Sequence, residues 1–157
     1  MNITVICVGK VKEAFYRQAV EEYSKRLSAY CTYRICEVDD EPDPGNPALC
    51  DKVKDAEGER ILRFIDPGTY VITLEIKGKK YDSEGFSKVI SDLLISGKSD
   101  IAFVIGGSLG LSDKVRNRSD LKLSFSDMTF PHQLMRVILS EQVYRAFRIM
   151  RGEPYHK

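Results

Sequence analysis

Ile101-Ala102-Phe103-Val104-Ile105-Gly106-Gly107-Ser108-Leu109-Gly110 is an apolar run that stops abruptly in glycines. A strand this apolar has both faces covered, the usual condition of a strand inside a parallel sheet. Working outward, residues 70–76, 3–8 and 33–38 form apolar or β-branched runs of strand length, and 121–125 forms a last, shorter one. Helical patterns lie between them. Tyr16, Val20, Tyr23, Leu27 and Tyr30 recur in steps of four and three. A polar helix is predicted over about 49–65. Ser83 is expected to cap a helix carrying Phe86, Val89, Ile90, Leu93 and Leu94, and Gly78 to end the strand before it. Pro131 stands where a final helix begins, since its missing N–H is not needed there. Strands alternating with helices predict an α/β fold, a mostly parallel sheet flanked by helices, in one domain spanning 1–157.

The last helix, to about Met150, is apolar over most of its circumference: Leu134, Met135, Val137, Ile138, Leu139, Val143, Tyr144, Ala146, Phe147, Ile149 and Met150. One sheet face cannot bury all of these, so a second subunit is expected to cover part of them. A chain of 157 residues with 43% hydrophobic content can build a real core. No apolar run approaches the roughly 20 residues of a membrane span. The first ten residues are too short and strand-like for a signal peptide, so the protein is expected to be cytoplasmic. Cys7, Cys31, Cys36 and Cys50 lack the spacings of zinc or redox sites, Cys7 reads as a core residue, and no metal is expected.

The net charge is only +1, but it is unevenly spread. Nine acidic residues fall between Glu37 and Glu59, against Lys52 and Lys54, while from Gly110 onward nine Lys or Arg face five Asp or Glu. The basic C-terminal third is the part expected to meet phosphate. Pro42, Pro44, Gly45 and Pro47 make 40–47 a loop.

In open α/β sheets ligands bind beyond the carboxyl ends of the strands. Three such ends stand out: Leu74-Glu75-Ile76, Gly106 to Gly110, and Ser124-Phe125-Ser126-Asp127-Met128. The glycines let a ligand approach the backbone, whose N–H and C=O groups can read an adenine edge. The loop is neither GxGxxG nor GxxxxGK[ST], which disfavours dinucleotide, flavin and P-loop readings. There are two histidines. His132 opens the last helix, where it packs or hydrogen-bonds locally. His156 lies in the tail Gly152-Glu153-Pro154-Tyr155-His156-Lys157. Glu141 and Arg145 stand four apart, the orientation that favours an ion pair.

Phe103 to Gly110, Leu123-Ser124-Phe125-Ser126, Thr129-Phe130-Pro131-His132-Gln133, Glu141-Gln142-Val143-Tyr144-Arg145-Ala146 and Pro154-Tyr155-His156 together resemble the RlmH family. Its members are ribosomal large-subunit pseudouridine N3-methyltransferases of the SPOUT class. The resemblance spans essentially the whole chain, Val8-Gly9-Lys10 and Thr73-Leu74 included. It implies a C-terminal trefoil knot, a homodimer, and S-adenosylmethionine as cofactor, held by Leu74, Gly106, Leu123, Ser124, Phe125, Ser126, Asp127 and Met128. The implied reaction is methylation of N3 of a pseudouridine in 23S rRNA on the assembled ribosome. Leu109 and Asp127 depart from the polar and the basic residue expected at their positions.

N3 must lose its proton to attack, so a general base is needed. His156 is the candidate, because imidazole titrates near neutrality. Tyr155 would position the base of the nucleotide, Arg145 would steady developing negative charge or bind phosphate, and Glu141 would orient Arg145. The competing readings are a methyltransferase acting on another RNA and a non-catalytic ribosome-binding factor of the same fold.

Overall fold

The computed structural model describes residues 1–155. His156 and Lys157 lie outside the described residues. The strands are β1 (Asn2–Val8), β2 (Thr32–Val38), β3 (Tyr70–Lys80), β4 (Asp100–Ile105) and β5 (Leu121–Ser124), and the helices are α1 (Ala14–Leu27), α2 (Cys50–Leu62), α3 (Ser83–Ile95), α4 (Asp113–Arg118) and α5 (His132–Met150). The sheet runs β2-β1-β4-β3-β5, with every pairing parallel.

Alternation along the central strands sets the layers. Ile3, Val5 and Cys7 of β1 and Ile101, Phe103 and Ile105 of β4 face the core built with α1, α3 and α5. Ile6, Val8, Ala102 and Val104 face the opposite core, which Ile61 of α2 and Val115 of α4 complete. Each central strand is thus buried on both faces, the physical reason for its continuous apolar run. Cys7 takes the core place predicted for it.

Three local expectations are corrected. Gly78 does not end β3, which runs on to Lys80. Instead the ladder with β5 shifts register: Leu123 opposes both Leu74 and Lys79, so 75–78 bulge out of the sheet. A Cβ at Gly78 would lie 2.7 Å from the carbonyl oxygen of Lys122 and the carbonyl carbon of Leu123, so glycine is required there by close backbone approach. The cap of α3 is Asp82, whose side chain accepts from the Gly85 N–H at 2.7 Å; Ser83 Oγ instead donates to Gln142 Oε1 at 2.9 Å, joining α3 to α5. Finally, β5 stops at Ser124, leaving Phe125 in the following loop.

Helix α5 packs between α1 and α3. Leu139, Val143, Ala146 and Phe147 are buried, whereas Leu134, Val137 and Ile138 stay half exposed. Its first turns carry a buried clamp. Arg136, 1% exposed, donates to the carbonyls of Val8 and Gly9 at 2.9 and 2.8 Å and pairs with Glu37 at 2.7 Å. Gln133 Oε1 accepts from the Lys12 N–H at 2.8 Å. The loop after β1 is therefore tied to α5.

Candidate cofactor cavity

A cavity of about 520 Å³ opens at the carboxyl ends of β3, β4 and β5. The β3 bulge supplies Leu74, Glu75, Ile76 and Lys77, and the loop after β4 supplies Gly106, Gly107, Ser108 and Gly110. The loop after β5 adds Phe125, Ser126, Met128, Thr129 and Phe130, and α5 adds His132 and Met135. All three strand ends singled out in the sequence meet here. The size lies in the range of small-molecule sites, and the walls are largely apolar with a few polar groups, as such sites require.

Glycine is needed on the cavity floor. A Cβ at Gly106 would stand 3.0 Å from the carbonyl carbon of Gly110 and from Leu111 Cδ2. One at Gly107 would stand 2.8 Å from Glu57 Oε2. Close packing behind the loop thus fixes glycine at both positions, and the loop itself forms part of the cavity wall. A cavity of this size, mostly apolar with a few polar groups, has room for a nucleoside-containing cofactor.

Leu74, Gly106, Phe125, Ser126 and Met128 all line this cavity, Met128 being 72% exposed at the rim. Leu123 and Ser124 are buried and instead border a second hollow of about 450 Å³, with Phe125, Phe86, Ile138 and Gln142. The Asp127 side chain turns outward and pairs with Lys80 across the sheet edge. Lys80 neutralises the carboxylate, so the pair brings no net charge to this place.

Sequence reasoning named the strand end that carries Glu75 but missed three other features of this region. Glu75 projects into the cavity with a side chain only 10% exposed, accepts from Thr73 Oγ1 at 2.8 Å, and pairs with Arg116 at 3.2 Å. Arg116 itself lines the wall. His132 is a wall residue; burial first, and then the charge of Arg136, lower its pKa, so its imidazole is neutral at neutral pH. Arg136 holds the α5 end of the wall in place. A strand end pointed to Glu75, but nothing in the sequence marked the arginines, because their partners lie 41 and 99 positions away.

Five of the basic residues in the C-terminal third are engaged within the protein. Arg136 is buried, and Arg116, Arg118, Arg145 and Arg148 pair with Glu75, Asp120, Glu141 and Glu153.

Glu141, Arg145 and Tyr155 do come together. Arg145 donates to Glu141 Oε1 through Nε at 3.0 Å and Nη2 at 2.6 Å, Tyr155 Oη donates to the same oxygen at 3.0 Å, and the guanidinium lies 4.7 Å from the Tyr155 ring centroid. Burial first, and then the Glu141 carboxylate, push the Tyr155 phenol well above its usual range. Tyr155 thus remains a hydrogen-bond donor at every physiological pH. This cluster is not at the cavity of its own chain: Arg145 lies thirteen residues beyond His132, roughly 20 Å along the helix axis.

Glu57, beneath Gly107, is 4% exposed and accepts from the Glu41 N–H at 3.0 Å. Burial raises its pKa above the ordinary 4.5, and Asp40 and Glu41 add to the shift. The folded protein therefore holds this proton where the unfolded chain has released it. The associated stability is complete below about pH 4.5 and is lost as pH rises through the folded value. Glu57→Gln is expected to raise the urea midpoint at pH 7.5 and to leave it nearly unchanged at pH 4. A lower midpoint at pH 7.5 would mean that the carboxylate is favourable as a charge.

The model of the family described as "Predicted SPOUT methyltransferase" matches residues 1–156. The chain belongs to the RlmH family of SPOUT methyltransferases. The ribosomal RNA large subunit methyltransferase H of Clostridium kluyveri is 57% identical over the full length of both chains, and that of Clostridium botulinum 58%, again over both full lengths. In fold, a "probable methylase family protein" from Haemophilus influenzae superposes with a TM-score of 0.58 at 14% identity, covering 99% of this chain and 70% of that one. The five-stranded, all-parallel α/β sheet is the RlmH-family architecture expected from the sequence. Among the described residues no helix is long and apolar enough to cross a membrane.

Proposed function

We propose that the protein transfers a methyl group from S-adenosylmethionine to N3 of a pseudouridine in 23S rRNA, on the assembled ribosome in the cytoplasm. The observation that carries this reading is the glycine-floored cavity at the ends of β3, β4 and β5, in a chain so close to large-subunit rRNA methyltransferases. The cofactor, when bound, supplies the methyl group on a sulfonium. Leu74, Gly106 and the stretch from Leu123 to Met128 hold it, largely through backbone. In this reading the C-terminal part of the chain is tied in a trefoil knot.

The working form is a homodimer. Two observations support it: half-exposed Leu134, Val137 and Ile138 on the outer side of α5, and the separation of the Glu141 cluster from the cavity of its own chain. A second copy brings one subunit's cluster beside the other's cofactor. There Glu141 fixes the Arg145 guanidinium, which steadies negative charge on the pseudouridine ring as N3 loses its proton. Tyr155 positions the base, and His156 takes the proton. Holding N3 in line with the methyl carbon accounts for much of the rate.

The test is methyl transfer from labelled S-adenosylmethionine to ribosomes lacking the modification, to separated subunits and to naked rRNA, with the product mapped by mass spectrometry. Label on N3 of a pseudouridine in assembled ribosomes is expected. Cofactor binding without label points to another RNA, and no cofactor binding points to a non-catalytic ribosome-binding factor. Arg145→Ala is expected to lower kcat about a hundredfold, by analogy with removal of a charge-stabilising donor, and to leave cofactor affinity unchanged. A variant with full kcat would remove Arg145 from the chemistry.

A further inference from the structure

The β3 bulge has a chemical consequence. Because 75–78 leave the ladder with β5, Glu75 lines the cavity, its side chain nine-tenths buried. A carboxylate at that depth needs support, and two groups give it. Thr73 Oγ1 donates to Oε1 at 2.8 Å, and Thr73 is itself steadied by Ser119 Oγ at 2.8 Å. Arg116 Nε stands 3.2 Å from Oε2. Each carboxylate oxygen carries two lone-pair sites, so one on each oxygen remains after these contacts. The arginine also cancels the charge, which leaves the pair a poor counter-ion for a further cation and a good acceptor for neutral hydroxyls.

We propose that Glu75 binds the cofactor's ribose, accepting hydrogen bonds from its two vicinal hydroxyls, one on each carboxylate oxygen. This rests on the reading of the cavity as a nucleoside-cofactor site. A carboxylate on ribose hydroxyls is a recurrent solution in α/β nucleotide sites, on quite different loops. Arg116 and Thr73 are positioning residues in this scheme: they set the carboxylate plane and leave its outer lone pairs to the sugar.

The experiment is calorimetric titration of the wild-type protein and Glu75→Gln with S-adenosylhomocysteine and with its 2′-deoxy and 3′-deoxy analogues, without RNA. Wild type is expected to bind each deoxy analogue about tenfold more weakly than the parent, the scale of one hydrogen bond to a charged group. Glu75→Gln is expected to bind the parent about tenfold more weakly and to discriminate less against the deoxy analogues. Equal wild-type affinity for all three ligands overturns the proposal and needs no variant. So does a folded Glu75→Gln, checked by melting temperature and circular dichroism, that keeps full affinity or full discrimination. A wild-type protein that binds none of the three overturns the cofactor reading itself, an outcome distinct from loss of discrimination.

Discussion

Arg136→Met is expected to lower the unfolding free energy by about 2–3 kcal/mol, the scale of leaving a buried backbone acceptor without its charged donor. Among the described residues Arg136 is the largest fully buried side chain, and its hydrogen bonds to Val8, Gly9 and Glu37 bind α5 to the ends of β1 and β2. Methionine fills much of its volume but donates nothing. The carbonyl of Val8 faces a buried space and loses this donor, while the Glu37 carboxylate, a third exposed, keeps the Val11 N–H at 2.9 Å. Urea unfolding at one protein concentration measures the loss. The double variant Arg136→Met with Glu37→Gln should recover part of it, because the stranded charge is then gone. A single-variant loss below about 1 kcal/mol would show that water reaches these groups and that the clamp is not buried in solution. Cofactor affinity should fall as well, since His132 and Met135 form the cavity wall on the same turns of α5.

Gly78→Val is expected to cost about 3 kcal/mol, at the upper end for added volume in a packed site, and to abolish measurable cofactor binding. The atoms in the way belong to the backbone of Lys122 and Leu123, which cannot rotate aside. Relief requires β5 to move away from β3. That movement carries with it the loop from Phe125 to Phe130 and the bulge that presents Glu75. Calorimetric titration with S-adenosylhomocysteine, paired with urea unfolding, reads both effects. A folded Gly78→Val with ordinary cofactor affinity would mean that the two strands tolerate separation and that the bulge does not organise the cavity.

Much of the cavity is legible in the amino-acid sequence. The three strand ends are visible there because burial on both faces leaves an apolar run, and glycine at its end marks a place where the chain turns near a ligand. Five of the eight residues assigned to the cofactor line the cavity. Leu123 and Ser124 end β5 and sit beneath the loop, since a strand's last residues are buried before the loop emerges. The pairing of Glu141 with Arg145 is legible from helical spacing alone. Misreading Gly78 as a strand end has a simple cause: local propensity cannot distinguish a glycine that stops a strand from one that makes room for another backbone. Composition counts charges without showing that Arg116, Arg118, Arg145 and Arg148 each have a carboxylate partner.

The sequence by itself determined the α/β class, the order of the elements, the three loops that build the cavity and the family. The class, the element order and the loops are written in short-range patterns: alternation, helical period, and glycine after an apolar run; the family is carried by the resemblance of several motifs in order. Only the tertiary structure decided which distant groups meet. It set Arg136 on Glu37 and the end of β1, Arg116 on Glu75, and Lys80 beside Asp127. It also held the Glu141 cluster away from the cavity of its own chain. These outcomes depend on strand order and on the register slip between β3 and β5, which arise from packing two layers of helices against one sheet. No local pattern encodes a contact between residues a hundred positions apart.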